Sequence, residues 1–371
     1  MKSEMADGTA RDLSSSLVAG GRVRALDGIR GVSILIVVLG HMILPDRGGL
    51  AALGVYLFFS LSGYLITSIL LKEMARSGRV DFFSFLSKRT YRLAPALVCF
   101  IALVCLVRFI AGKPLVGIEV SASLLYLANY LGSYYAVHGQ EFSQPFGVLW
   151  SLAVEQHFYL LFPPLLVFCG YAKTRILKAA VAVFLISLSI RIVYFLYFPD
   201  FIGNLVSYRN SETRFDSIAV GVILALAVNM GKFGRAIAVM KNGWISVLSL
   251  LLMLLFSALP GDFYRETFRF SILSVLSIPL IVFAGLEGKG LLLDILKSRV
   301  LVFFGAISYS LYIWHIACME AVDYLFSGSL PLQKITLSLS LSILMGWVSY
   351  RFVETRFIAL AGKVKRSPAG R

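Results

Sequence analysis

A guanidinium and an imidazole bracket one apolar run near the start of the chain, Arg30-Gly-Val-Ser-Ile-Leu-Ile-Val-Val-Leu-Gly-His41. On a helix, eleven residue steps separate the two by roughly 17 Å. An imidazole titrates near neutral pH and can act as a general base or a nucleophile. The plainer reading of His41 is a hydrogen bond to a neighbouring helix. Arg89 and Arg92 are three apart and share one side of a helical turn. Paired guanidiniums suit phosphate oxygens. Equally, cations in such a place snorkel to lipid headgroups and fix orientation. Glu155, His157, Asp216 and His315 also fall inside apolar runs. An ionisable residue at membrane depth is a functional-site hypothesis by default. A structural hydrogen bond is the alternative for Glu155, and a local pair with Arg214 at a helix start is the alternative for Asp216. His138 reads as a solvated loop residue.

The runs that carry these residues are membrane segments. Of 371 residues, 58% are hydrophobic and only 15% charged, too little polar surface for a soluble domain. The net charge of +15 does not indicate nucleic acid, because the basic residues cluster in short connections between apolar segments. Cys99, Cys105, Cys169 and Cys318 lie in or beside apolar stretches without a CxxC pair and read as packing residues. No metal site is expected. The polar first twenty-odd residues lack a signal-peptide core and read as a cytoplasmic tail.

Ten segments follow, starting near Ile29, Ala51, Tyr91, Val148, Ala179, Phe215, Trp244, Phe270, Val300 and Leu332. Pro45 to Gly49 reads as a turn, and the small residues of Gly54–Tyr64 favour close helix contact. Ser121–Leu131 is apolar but short. If it does not cross, the basic loops and both termini fall on one side, as the positive-inside rule requires. The expected fold is therefore all-α, a polytopic membrane bundle of about ten transmembrane helices. The expected divisions are a cytoplasmic tail over 1–24, a membrane domain over 25–355 and a basic cytoplasmic tail over 356–371. Depth counting places Arg30, Arg89, Arg92 and Glu354 near the cytoplasmic face, and His41, Glu155, Asp216 and His315 in the outer half. That arrangement suggests a phosphorylated cytoplasmic donor and an acceptor reached from the other side.

The chain resembles the acyltransferase 3 family of integral membrane O-acyltransferases. Arg24-Ala-Leu-Asp27-Gly-Ile-Arg30-Gly, with His41 after ten intervening residues, is similar to the family's opening Arg-x10-His element. Gly54–Ile66, Phe85–Pro95 with its Arg89-x-x-Arg92, and Trp150–Tyr159 resemble successive elements. Arg214–Gly221 and Ile307–His315 fit later ones. Each is weak alone; their order over most of the chain from Arg24 is specific. Val353-Glu354 departs from the family, running on to Thr355 where a proline is usual. Some relatives carry a C-terminal SGNH hydrolase-like domain; the chain ends soon after the last segment, so the membrane part, or a separate partner, is expected to complete the reaction.

The resemblance implies an acyl-CoA co-substrate, commonly acetyl-CoA, rather than a permanently bound cofactor. Arg89 and Arg92, with Arg30, would hold its phosphates. His41 would act as base on the acceptor hydroxyl, or carry the acyl group covalently. Glu155 would be catalytic with it, orienting the imidazole or stabilising its charged form. Asp27, Trp150, Asp216, Tyr309 and His315 would support the site. The expected surroundings are the lipid bilayer of the cell inner membrane and a glycan or lipid-linked sugar acceptor, with no nucleic acid; oligomeric state is left open. A transporter or flippase for a polyprenol-linked or small polar substrate is the alternative that intramembrane charges would equally fit.

Overall fold

The computed structural model describes residues 23–43 and 49–364. Most of the expected N-terminal tail (1–22), the turn residues 44–48 and the end of the C-terminal tail (365–371) lie outside the described residues. Among the described residues there is no strand, and each of the ten apolar segments meets a helix.

The helices are α1 Arg24–Ile43, α2 Gly49–Ser77, α3 Phe82–Ile110, α4 Gly117–Leu124, α5 Ala128–Val137, α6 Trp150–Phe168, α7 Lys173–Tyr197 and α8 Ser211–Asn229. They continue with α9 Gly234–Met240, α10 Gly243–Ser257, α11 Phe268–Leu276, α12 Ile278–Gly285, α13 Leu291–Leu296, α14 Arg299–Leu325, α15 Pro331–Ser349 and α16 Thr355–Val364. Eight helical stretches among the described residues are long and apolar enough to cross a membrane. A ninth forms if Val206–Asn229 and α9, bent by 114° at their junction, make one broken span. Segment seven is matched by α10, shorter but apolar. The protein is thus a multi-pass, all-α membrane protein. Ser121–Leu131 is split between α4 and α5 by a turn in which Tyr126 takes the left-handed conformation (φ 57°). Eight helical residues reach only about 12 Å, so α4 does not span, in line with the non-crossing reading.

The described chain forms two compact units. The first comprises Met1–Val80 and Leu161–Ala306, the second Asp81–Leu160 and Ile307–Arg371.

In the first unit α2 is the central helix: 72% of its apolar window is buried, against 17% for α7, whose apolar faces suit lipid. Gly40 packs on Ala51 and Gly54 on Ser33 and Val37, so α1 and α2 run antiparallel. Arg214 faces Tyr56 and Phe59, Ser60 bonds the Ser217 carbonyl at 3.2 Å, and Gly221 meets Tyr64, so α2 and α8 run parallel. Their crossing needs glycine. A Cβ on Gly221 would stand 1.9 Å from the Ser60 carbonyl oxygen, and one on Gly63 2.1 Å from that of Ile218. Such small-residue seams are how membrane helices gain close packing where hydrophobic association is weak.

In the second unit Phe85 meets Tyr159, and Phe100 meets Phe146 in the short helix Gln144–Gly147 that leads into α6, so the span Gln144–Phe168 runs antiparallel to α3. Tyr309 bonds the Leu93 carbonyl and Trp314 packs edge-on against Phe100, which sets α14 parallel to α3. Between α15 and α16, Tyr350–Glu354 forms a π-helical turn that brings buried Glu354 inward. The start of α3 differs from expectation. It begins at Phe82, not near Tyr91, because Asp81 caps it by accepting from the Ser84 N–H at 2.9 Å. Arg89 and Arg92 therefore lie two to three turns inside the helix, on one side of it as their spacing suggests.

Candidate functional site

The residues singled out from sequence divide between the units. The first unit holds Asp27, Arg30, His41 and Asp216; the second holds Arg89, Arg92, Trp150, Glu155, Tyr309, His315 and Glu354.

In the first unit, Asp27 and Arg30 occupy the beginning of α1 and are half-buried. This end is fixed by backbone contact: a Cβ on Gly31 would lie 2.1 Å from the Leu301 carbonyl oxygen, and one on Gly305 1.9 Å from that of Asp27. Arg24 adds a bond to the Lys297 carbonyl at 3.3 Å. His41 sits in the last turn of α1, half-buried, and its ring hydrogen-bonds the Val37 backbone. A ring nitrogen facing a carbonyl must carry the hydrogen, so in the neutral ring the second nitrogen is the one that can accept a proton. This is the tautomeric arrangement a general base needs.

Asp216 is fully buried, and its ion-pair partner is Arg191, not the neighbouring Arg214. Arg191 Nη2 lies 2.8 Å from Asp216 Oδ2, and the guanidinium also donates to the carbonyls of Thr267 (2.8 Å) and Thr213 and to Ser271 Oγ (2.6 Å). Ser271 in turn donates to Asp216 Oδ2 at 2.6 Å. Arg214, also fully buried, is ringed by Phe270, Tyr56, Phe59 and Tyr208, with ring centres 4.4–5.5 Å away. Asp216 thus anchors a closed network that ties α7, α8 and α11 together.

The second unit gathers a different cluster. The Arg89 guanidinium lies over the faces of Phe85 (5.7 Å) and Tyr159 (5.8 Å). Tyr159 donates to Glu155 Oε2 at 3.2 Å. The charges of Arg92 and Glu155 are both within electrostatic reach of Arg89. Buried Tyr309 donates to the Leu93 carbonyl at 2.8 Å and stands in the field of Glu354, Glu155, Tyr159 and Tyr126. Tyr126 lies in the α4–α5 turn, where burial pushes its phenol up to about 12 and keeps it neutral. Glu354 accepts from Ser310, which also bonds Ser349 at 2.9 Å. Depth counting separates Glu155 from the arginines, but the structure joins them, because α3 carries Arg89 one helical turn beyond Phe85 and α6 presents Tyr159 one turn beyond Glu155.

Trp150 is buried at the start of α6. Its neighbour Ser151 donates to the Tyr312 hydroxyl at 2.7 Å, and Tyr312 donates to the Val148 carbonyl at 3.0 Å. His315 is fully buried with Nδ1 2.6 Å from the Tyr312 carbonyl, which reads as fixing the α14 backbone. His157 stacks on Tyr130, and His138 is exposed, with Nδ1 2.8 Å from the Tyr134 carbonyl. Among the described residues no group of three His, Cys, Asp or Glu side chains is placed to hold a metal ion.

Sequence reasoning passed over Tyr159, Tyr126 and Arg191. Tyr159 was within reach: it stands four residues after Glu155, a spacing at which helical side chains meet.

The second unit thus holds an Arg–Tyr–Glu cluster and the first holds His41. Residues 23–351 match the family profile described as an acyltransferase domain, and the chain belongs to this family, acyltransferase 3. It is 31% identical to O-acetyltransferase OatA of Staphylococcus aureus over 344 residues, 89% of this chain and 56% of that protein. It is 30% identical to a putative O-acetyltransferase of S. aureus strain COL over 349 residues, covering 90% and 57%. A third relative, a putative O-acetyltransferase of strain MSSA476, is 30% identical over 346 residues, covering 90% and 56%. The chain spans little more than half the length of these relatives. No solved structure matches it.

Proposed function

We propose that this protein is a membrane O-acyltransferase that moves an acyl group, commonly acetyl, from acyl-CoA to a hydroxyl of a sugar in a cell-envelope or secreted glycan. The observation that carries the reading is the Arg89–Tyr159–Glu155 cluster, which lies within the stretch matched to the acyltransferase domain. Arg89 and Arg92 are the phosphate-binding pair for the CoA nucleotide. The ring faces of Phe85 and Tyr159 steady the Arg89 guanidinium, with Glu155 in its field, and leave its N–H groups to bind phosphate oxygens two at a time. We assign Glu155 a positioning role through Tyr159 and Arg89, and Tyr309 and Glu354 the shaping of the same pocket.

His41 is the base. It takes the proton of the acceptor hydroxyl as that oxygen attacks the thioester carbon. The tetrahedral adduct collapses with cleavage of the C–S bond, and the imidazolium returns its proton to the departing thiolate, releasing CoA thiol. A general base of this kind contributes about 10²–10⁴-fold. The distribution of basic loops supports a cytoplasmic donor side, with both termini cytoplasmic and the chain in the inner membrane.

The test is the full chain in lipid nanodiscs with acetyl-CoA and glycan acceptor. Acceptor-dependent thiol release and an acetylated product are expected, both lost in His41→Ala with folding unchanged. Full activity in that variant would remove His41 from the mechanism. Mass spectrometry of surface glycans with and without the protein identifies the acceptor.

A further inference from the structure

The second unit contains a cavity of about 520 Å³ between the end of α3, the later half of α14 and α15. It lies beyond Trp314 and shares no residue with the Arg89 cluster. Its walls are mostly leucine, valine, isoleucine, alanine and methionine, with Arg108, Lys113 and Glu320 the charged residues among them. Val107, Ile110, Tyr324 and Leu325 along it are exposed, on helices whose outer faces meet lipid. Whatever occupies the trough therefore enters from the bilayer and has a long apolar part.

The polar groups say what its head is. Arg108 donates through Nε and Nη2 to the Pro114 carbonyl (3.3 and 3.2 Å), which fixes the guanidinium and uses one of its edges. The Lys113 ammonium sits 5.2 Å over the Tyr324 ring. Glu320 lies in the field of both cations, and Asp323 is engaged by Lys334 at 3.1 Å. Two cations and one carboxylate leave the mouth with one net positive charge, which a singly charged phosphodiester neutralises. A diphosphate would be over-charged for it. Trp314 is more than nine-tenths buried in the wall, and its indole N–H has no protein partner. A buried donor of this kind asks for an acceptor, which an ester or phosphate oxygen supplies.

We propose that this trough is a binding site for an anionic phospholipid of the surrounding bilayer. One acyl chain lies along the apolar wall, the phosphodiester sits between Arg108 and Lys113, and a headgroup hydroxyl donates to Glu320. The site shares no residue with the donor clamp or the base assigned above and does not depend on them.

The experiment is native mass spectrometry of the full chain released from nanodiscs of equal phosphatidylglycerol and phosphatidylethanolamine. The wild type is expected to retain phosphatidylglycerol in preference. Arg108→Gln with Lys113→Gln should lower that preference roughly thirtyfold, about fivefold for each basic residue near an anionic surface. Ala321→Phe, which fills the trough and keeps both cations, should abolish retention of either lipid. If the charge variant does not fold, Ala321→Phe decides alone. Equal retention of both lipids by the wild type, or unchanged retention in Ala321→Phe, overturns the proposal. Displacement of phosphatidylglycerol by an added polyprenyl diphosphate at equal concentration overturns the choice of a phosphodiester.

Discussion

Both units bury arginine, and they treat it in opposite ways. In the first, Arg191 is fully enclosed and spends its donors on Asp216, Ser271 and two carbonyls. In the second, Arg89 and Arg92 are half-buried, and Arg89 is held by ring faces, which steady a guanidinium without consuming its N–H groups. A saturated, enclosed guanidinium is a structural tie. One that is oriented but not saturated is prepared for a ligand. The residue type is the same, so the distinction rests on what its hydrogen-bonding edge meets.

The comparison breaks first at Asp216. Removing one partner of a buried pair leaves an uncompensated charge and costs about 3–5 kcal/mol. Asp216→Ala should therefore abolish the monodisperse folded species in fluorescence-detected gel filtration. Replacing both partners, Arg191→Met with Asp216→Leu, should recover much of it. A well-folded Asp216→Ala protein would show that Arg191 is not a structural tie, and the contrast between the units would fail.

His41→Gln comes next. The bond to the Val37 backbone belongs to a single turn of α1, so stability should change little while acyl transfer falls about 10²–10⁴-fold. A matching loss of thermal stability would return His41 to a packing role. Acid-quenched mass spectrometry on the wild type separates base from carrier, since only the latter leaves an acylated peptide containing His41.

What could be read from the sequence follows the range of the forces involved. Membrane segments are set by the length of an apolar run, a local property, and all ten meet helices. The non-crossing stretch was legible for the same reason, being too short. The start of α3 was not, since Ser84, Ser87, Lys88 and Thr90 break the apolar run without breaking the helix that Asp81 caps. Along that helix Arg89 meets Tyr159, which reaches Glu155, whereas depth counting grouped Glu155 with His41. Arg191 escaped notice because its partners are remote: Asp216 is 25 residues on, Thr267 76 and Ser271 80. A lone arginine inside an apolar run nonetheless signals a buried partner, and that signal was present at Arg191. His41, Arg89 and Arg92 were legible as types at a spacing, but whether an arginine is saturated is a tertiary fact.

Arg89→Ala should raise the KM for acyl-CoA by about tenfold or more, the worth of a charge-assisted phosphate contact of 1.5–3 kcal/mol, and leave the unfolding midpoint nearly unchanged. Arg89→Lys should restore little, because an ammonium lacks the planar fork. If lysine restores the KM, Arg89 contributes charge alone, and the ring faces around it have no bearing on donor binding.

Tyr159→Phe gives the smallest and most discriminating effect. It keeps the ring face that Arg89 lies over and deletes only the hydroxyl that reaches Glu155. Loss of one such hydrogen bond is worth about 0.5–1.5 kcal/mol, so the donor KM should rise roughly two- to tenfold with kcat nearly kept. Glu155→Gln in the Tyr159→Phe background should then add less than it does in the wild type, because the two residues act along one line to Arg89. If instead Tyr159→Phe lowers kcat and leaves KM alone, the hydroxyl works on the reacting atoms and not through the guanidinium. Glu155 would then belong with the chemistry at His41, as its place in the apolar run first suggested, rather than with the phosphate clamp.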